Sequence, residues 1–423
     1  MPTGVAAALA SGAVDRGKAS SPERLAVVVL TTAYPIRSDG GVDAVLAKRT
    51  AALAALTDVC VVVPTPWAPR WLGRLVARWR RYSETPRRLD IMGVETFYPR
   101  YVQLPGRWFV PFAPLAIVLG ILPRLWRLRR TGRLDILYGQ ATLPDGLASA
   151  LAGNLLRVPA ACLARGLDVN DLGRRTPMGR WLTRLTVRWS AGVATVAHDL
   201  MDGLSEIAPG RSRTEVIYDG IDLEAFRPGD PAAARARLGL EGNGRVVLFV
   251  GRLVEGKGLD TLLEAFARLR AIEGGARLVL VGDGALAPVL RRRVRNLGLG
   301  DAVRFAGERP YAEIPTWMQA ADVLVLPSES EGFPNVIREA LACGLPVVAT
   351  PVGEIPRILT EAVGRLVPVG DAAALATALR DVLRKPIDRS RVRSLVRDAT
   401  WERNARSTLA FLRAAAGCGE RPA

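Results

Sequence analysis

The sequence predicts two α/β domains, each built on a parallel, doubly wound sheet. Short β-branched runs alternate with helical patterns, the order that places helices on both faces of a parallel sheet. The alternation stops at a Pro/Gly/Ala-rich stretch over 226–244 and then restarts. A chain of 423 residues is also too long for one ordinary core.

Residues 1–23 are small and polar, without an apolar run of signal-peptide length, and read as a disordered tail. A first domain is expected over 24–225. "RLAVVVLTTAYP" is its first buried strand, closed by Pro35, and a loop with Gly40 and Gly41 leads into the helical "DAVLAKRTAALAAL". "DVCVVVPTP", "LDILYGQ", "PAACLAR", "AGVATVA" and "TEVIYDG" repeat the strand pattern. "AFRPGDPAAARARLGLEGNG" reads as a linker over 226–244. A second domain over 245–390 opens on "RVVLFVG" and the helix "LDTLLEAFARLRAI". "ARLVLVGDG", "AVRFAG", "ADVLVLPS", "PVVAT" and "GRLVPV" are its later strands, and residues 391–416 close the chain as helices, including the amphipathic "WERNARSTLAFLRAA". Ligands of open parallel sheets bind at the carboxyl ends of strands, so two such domains facing each other place a site in the cleft between them.

Composition narrows the function. Four scattered cysteines (Cys60, Cys162, Cys343, Cys418) have no metal or disulfide spacing and fit a reducing compartment. The formal charge of +17 favours anionic partners. It is concentrated between Trp67 and Arg133, where 14 Arg face 3 acids and five of the nine Trp lie. "WLGRLVARWRRY" brings Trp71, Leu75 and Trp79 together at helical spacing among arginines, which suits an anionic membrane interface or an ordinary solvated helix. The run Trp108–Pro123 holds three prolines and a glycine and is shorter than the roughly 20 residues of a spanning helix, so a buried or interfacial helix is expected. No reading motif for nucleic acid accompanies the charge.

Two stretches carry chemistry. In "SESEGFPNVIREALACG" a strand ends, a loop holds Glu331, and a helix opens at Pro334 with Glu339 roughly 7–9 Å along its axis. A helix start offers N–H groups and a positive dipole end to a phosphate. Two carboxylates beside it could accept hydroxyls on either side of a diphosphate, the layout of a nucleotide sugar. From spacing alone, Glu331 could equally favour the helix dipole and Glu339 be a solvated or salt-bridged residue. In "FVGRLVEGKGLDTLLEAFARL", Arg252 and Lys257 follow a strand in a Gly-rich loop, where both can neutralise phosphate.

These stretches, with "VIYDGIDLEAFRP", "LVLVGDGALAPVLRRRVRNLGL" and "VRFAGERPYAEIPTWMQAADVLVLPSESEGFPNVIREALACGLPVVATPVGEIPRIL", resemble the GT-B glycosyltransferases of family 4 from about Leu25 onward, most strongly over 216–360. Glu331 and Glu339 match that family's Glu-x7-Glu motif. The resemblance implies a GT-B fold, two Rossmann-like domains across a cleft, with a C-terminal helix near Trp401 crossing back. It implies a retaining, metal-independent transferase using a nucleoside-diphosphate sugar, UDP favoured over GDP, and no further cofactor. Glu331 would hold donor-sugar hydroxyls and Glu339 the ribose. Arg252 and Lys257 would hold the diphosphate. Gly40, Gly41, Gly332, Phe333, Pro334, Asn335 and Val336 would surround the phosphates, with Arg165 and Asp168 on the acceptor side.

The chain departs from the family in its first half. Where relatives carry histidines, "ARGLDVN" and "YGQATLPDG" place Arg165 and Gln140, with Asp145 beside Gln140. The single histidine, His198, follows "AGVATVA" and reads as structural. Asp219 replaces an asparagine of "NGxD", a change expected to matter little. The expected acceptor is a lipid-linked or glycan molecule in cell-surface polysaccharide or glycolipid synthesis, and the expected place the inner face of the cell membrane. A nucleotide-sugar epimerase on the same scaffold and an inactive sugar-nucleotide binder are the alternatives.

Overall fold

The computed structural model describes residues 24–35, 44–68, 77–103, 107–166, 169, 176–210, 213–240, 242, 244–385 and 387–418. The first domain holds β1 (Ala26–Leu30), β2 (Asp58–Val62), β3 (Thr65–Pro66), β4 (Arg88–Ile91), β5 (Val94–Phe97), β6 (Arg100–Tyr101), β7 (Ile136–Gly139), β8 (Ala160–Ala164), β9 (Gly192–Thr195) and β10 (Arg213–Val216). Eight of these make one sheet in the order β10-β9-β8-β7-β1-β2-β5-β4. Its pairs are parallel except the edge pair β4–β5. The second domain holds β11 (Val246–Val250), β12 (Arg277–Val281), β13 (Val303–Gly307), β14 (Val323–Leu326), β15 (Val347–Ala349) and β16 (Gly364–Leu366), all parallel in the order β13-β12-β11-β14-β15-β16. Central strands such as β1 and β14 are buried at every residue. That follows from helices covering both faces and explains their unbroken Val/Leu runs.

The returning helix Trp401–Ala415 forms as expected. Thr400 caps it by accepting the Arg403 N–H at 3.1 Å. Ala405, Thr408, Leu409 and Leu412 recur on one buried face. Leu409, Phe411 and Leu412 join the core of the first domain beside Val27, Leu46 and Ala194. The helix packs chiefly on the helix Ala44–Ala54.

Two boundaries differ from the sequence reading. The stretch 226–244 is not a linker. It carries the helix Pro231–Leu238, with Asp230 as N-cap, proline at the first position and Gly239 as left-handed stop. Phe226, Ala234 and Leu240 are buried in the second core, and Arg235 ties the helix to Asp322 at 2.7 Å. The Pro and Gly that suggested a linker are helix punctuation. Nor do all the residues of 391–416 return to the first domain. The helix Arg389–Ser394 stays on the second, with Val392 buried and Arg393 donating to Ala342 O at 2.7 Å. The outward and return crossings run side by side: Ile221 bridges Thr400, and Asn404 Nδ2 donates to Tyr218 O at 2.6 Å.

The run Trp108–Pro123 becomes a 3-10 turn, Arg107–Phe112, and most of the helix Ala113–Arg130. Among the described residues no helix is long and apolar enough to cross a membrane.

Candidate active site

The loops after β11 and β14 are laced together. Glu329 N–H donates to Gly256 O at 2.9 Å. Gly258 has φ +62, and a Cβ there would lie 1.9 Å from Pro327 O, so the contact needs glycine. This lacing brings two predicted site residues into direct contact. Lys257 Nζ donates to Glu331 Oε1 at 2.6 Å, and Ser328 Oγ donates to the same oxygen at 2.6 Å. Gly353 supports the loop from below: with φ +56, its Cβ would fall 2.2 Å from Glu331 O. Arg252 is exposed and has no hydrogen-bond or ion-pair partner among the described residues.

The next helix runs Asn335–Ala342 and stops at Gly344, φ +69. Glu339 is neither solvated nor salt-bridged. It is 8% exposed and accepts the Tyr311 hydroxyl at 2.8 Å. Burial pushes its carboxyl up to about 7, against the pull of that hydroxyl and the Lys48 charge. Lys48 comes from the first domain, pairs with Asp222 at 3.0 Å and lies 4.8 Å from the Tyr311 ring centre.

The phosphate-facing set needs correction at two positions. Phe333 turns its ring to the domain boundary, stacking on Tyr218 with 5.3 Å between centroids, while Arg338 covers it at 5.0 Å. Asn335 uses its backbone N–H on Phe333 O at 3.0 Å and its side chain on Asp219 at 3.3 Å. Val336 keeps its place in the first turn, where backbone N–H groups lack intrahelical partners. Pro334 is buried at the cap, and Gly332 lies across from Gly166, 3.9 Å from where its Cβ would be. Gly40, Gly41 and Asp168 lie outside the described residues, as do Trp71 and Leu75.

Asp219 matters far more than its place in the motif suggests. It is 5% exposed, pairs with Arg49 of the first domain, and its backbone oxygen accepts Arg338 of the second. Burial pushes its carboxyl up, but the Arg49 and Arg165 charges and the Asn335 amide outweigh that and hold it below the usual range. Burial also lowers Arg338, to about 10.

His198 is structural, in a way its sequence context did not show. Glu354 of the second domain, wholly buried, accepts the His198 backbone N–H at 2.8 Å, its Nδ1 at 2.9 Å and the Tyr218 hydroxyl at 2.7 Å. Asp145 accepts the Thr32 N–H at 3.1 Å and fixes the loop after β1. Gln140 is 2% exposed with neither amide atom paired among the described residues. Sequence reasoning missed Tyr311, Lys48, Arg49 and Glu354. For Lys48 and Arg49 a signal existed: two adjacent cations in an otherwise apolar helix.

Two family models cover the two halves: Glycosyltransferase Family 4 over residues 39–225 and Glycosyl transferases group 1 over 231–398. Its halves are a family 4 and a group 1 glycosyltransferase domain. The family 4 domain supplies Lys48, Arg49 and Arg165, and the group 1 domain supplies Lys257, Glu331 and Glu339. The architecture matches solved GT-B structures. Anabaena Alr3699/HepE, solved with UDP, superposes with TM-score 0.69 at 21% identity, over 92% of this chain and 100% of that one. Sucrose-phosphate synthase from Thermosynechococcus elongatus gives 0.71 at 23%, over 93% and 100%. Among sequences, D-inositol 3-phosphate glycosyltransferase from Frankia alni is 43% identical over 190 residues, 43% of this chain and 47% of that protein. The protein of that name from Mycobacterium bovis is 38% identical over 218 residues, 49% of this chain and 45% of its own. The chain spans about half the length of the curated relatives it matches.

Proposed function

We propose that this protein is a retaining, metal-independent glycosyltransferase that moves a sugar from a nucleoside-diphosphate donor, UDP favoured, to an acceptor hydroxyl. The observation that carries the reading is the Lys257–Glu331 contact of 2.6 Å in the cleft. A cation for the leaving phosphate and a carboxylate for the sugar hydroxyls must be adjacent, because sugar and β-phosphate share one bond. In the reaction the C1–O bond to the phosphate breaks, a C1–O bond to the acceptor forms, and the hydroxyl proton leaves with the diphosphate. Lys257 and Arg252 stabilise the charge on the departing group. Glu339, with Tyr311 bonded to it, receives the ribose. Arg165, in the stretch after β8, is assigned to the acceptor side on the family resemblance.

For the acceptor, the name of the relatives, D-inositol 3-phosphate glycosyltransferase, favours a phosphorylated inositol over the lipid-linked or glycan acceptor expected from the basic window. Placement at the inner membrane face draws support from the exposed Leu115, Leu119 and Trp126 on a helix ending in Arg127, Arg129 and Arg130. The experiment is a nucleotide-release assay over UDP-, GDP- and ADP-sugars, with inositol 3-phosphate or a lipid-linked sugar as acceptor. Lys257→Ala and Glu331→Ala are expected to lose at least a hundredfold in kcat with melting temperature nearly unchanged, as for removal of one stabilising donor in a site. Wild-type turnover in both variants sinks the assignment. Release of an isomerised sugar without acceptor would favour the epimerase reading instead.

A further inference from the structure

A cavity at the other edge of the first domain takes no part in the site above. It has a volume of about 300 Å³ and lies between Phe97–Arg100, just past β5, and the helix Ala113–Arg130. In the sheet β5 is two strands from β1, on the order of 10 Å. Four arginines line the cavity, Arg87, Arg100, Arg124 and Arg127, and no acid does. The nearby Glu95 is already shared by Arg88 at 2.7 Å and Arg133 at 2.5 Å.

The walls are built rather than loose. Arg100 donates to Tyr82 O at 2.6 Å and to Thr85 O at 2.5 Å. Arg124 lies 4.1 Å over the Phe97 ring. A Cβ on Gly120 would be 2.6 Å from Arg100 O, so the helix presses directly on β6. Burial, and then the neighbouring Arg87 charge, lowers Arg100; burial and then Arg127 lower Arg124. Four arginines lining one cavity repel each other, and a bound anion relieves that repulsion. Arg100 gives its terminal nitrogens to carbonyls, which leaves the planar forks of Arg87, Arg124 and Arg127 to match phosphate oxygens two at a time. The same helix exposes Leu115, Leu119 and Trp126 roughly a third of a turn from the arginine face. An apolar ridge beside a phosphate site is the arrangement an anionic lipid headgroup presents to a protein.

We infer that this cavity is a second ligand site that binds a phosphate group, carried either by a lipid headgroup or by a soluble phosphate. The inference does not depend on the transfer reaction, and its test reads binding alone. The full chain, carrying Arg252→Ala/Lys257→Ala throughout so that the donor site does not contribute, is titrated with inorganic pyrophosphate by calorimetry and sedimented with phosphatidylcholine vesicles with and without phosphatidylglycerol. Arg87→Gln/Arg127→Gln, both at exposed positions, is expected to weaken binding about tenfold or more. A control of equal charge loss on the other domain, Arg292→Gln/Arg295→Gln, should not. Arg87→Lys/Arg127→Lys should recover only part, because charge returns without the fork. Loss of vesicle binding assigns a headgroup, loss of pyrophosphate binding a soluble phosphate, and loss of both a site open to either. The inference is overturned if the first variant binds both probes like wild type, or loses no more than the control.

Discussion

Glu339 shows how burial sets the chemistry of one residue. Its carboxyl titrates near 7 in the folded protein, raised from an ordinary value of 4.5 chiefly by burial. Between these values the unfolded chain has lost a proton that the folded chain still holds. Stability therefore falls as pH rises from 4.5 to about 7, and the loss is complete above that. Glu339→Gln, which can still accept from Tyr311, should match wild type at pH 4.5. It should be more stable above pH 7 by on the order of 2–3 kcal/mol, while losing affinity for the nucleotide. Denaturant melts at pH 5 and 8 check this; an equal difference at both would mean that Glu339 is not desolvated.

At the scale of elements, the site depends on backbone contacts that only glycine allows. Gly258 closes the Lys257 loop onto the β14 loop and starts the helix Leu259–Ile272 in a left-handed conformation. Gly258→Ala should cost about 2 kcal/mol or more, combining that conformation with a clash on Pro327 O. Asn tolerates the left-handed region, so Gly258→Asn separates the two causes. If the clash dominates, Asn melts as low as Ala; if it recovers near wild type, the close approach is not what fixes the loop. The corrected linker teaches the same lesson. Asp230, Pro231 and Gly239 have the composition of a loop, and they are the caps of a helix whose Phe226 and Ala234 neighbours fill a core.

At the scale of the molecule, two buried carboxylates hold the domains together. Asp219 at the crossing joins Arg49 to the donor-side helix, and Glu354 gathers His198 and Tyr218. Burial pushes the Glu354 carboxyl up, but the Tyr218 and His198 hydrogen bonds outweigh it and hold it below the usual range. Its contribution is thus present above the ordinary glutamate value of 4.5 and is lost as pH falls through the folded value. Glu354→Gln should lower the melting temperature at pH 7, with the difference shrinking below about pH 4. A pH-independent difference would mean that the hydrogen bonds from Tyr218 and His198 do not favour the charged carboxylate.

By itself the sequence determined the fold class and the returning helix, and it singled out Lys257, Glu331 and Glu339 as candidates. The first two rest on local pattern, unbroken buried runs between helices and a capped amphipathic stretch, while the candidates rest on charged residues after strands together with the family resemblance. Only the tertiary structure decided that Glu339 is buried against Tyr311, that Phe333 serves the domain boundary, and that Asp219 and Glu354 bind one domain to the other. Those outcomes depend on partners between 28 and 170 residues away, such as Tyr311 for Glu339 and Arg49 for Asp219. No local spacing encodes such distances. The charge of a residue is written in the chain, but whether it meets water, a hydroxyl or a counter-charge is settled when two domains close on each other.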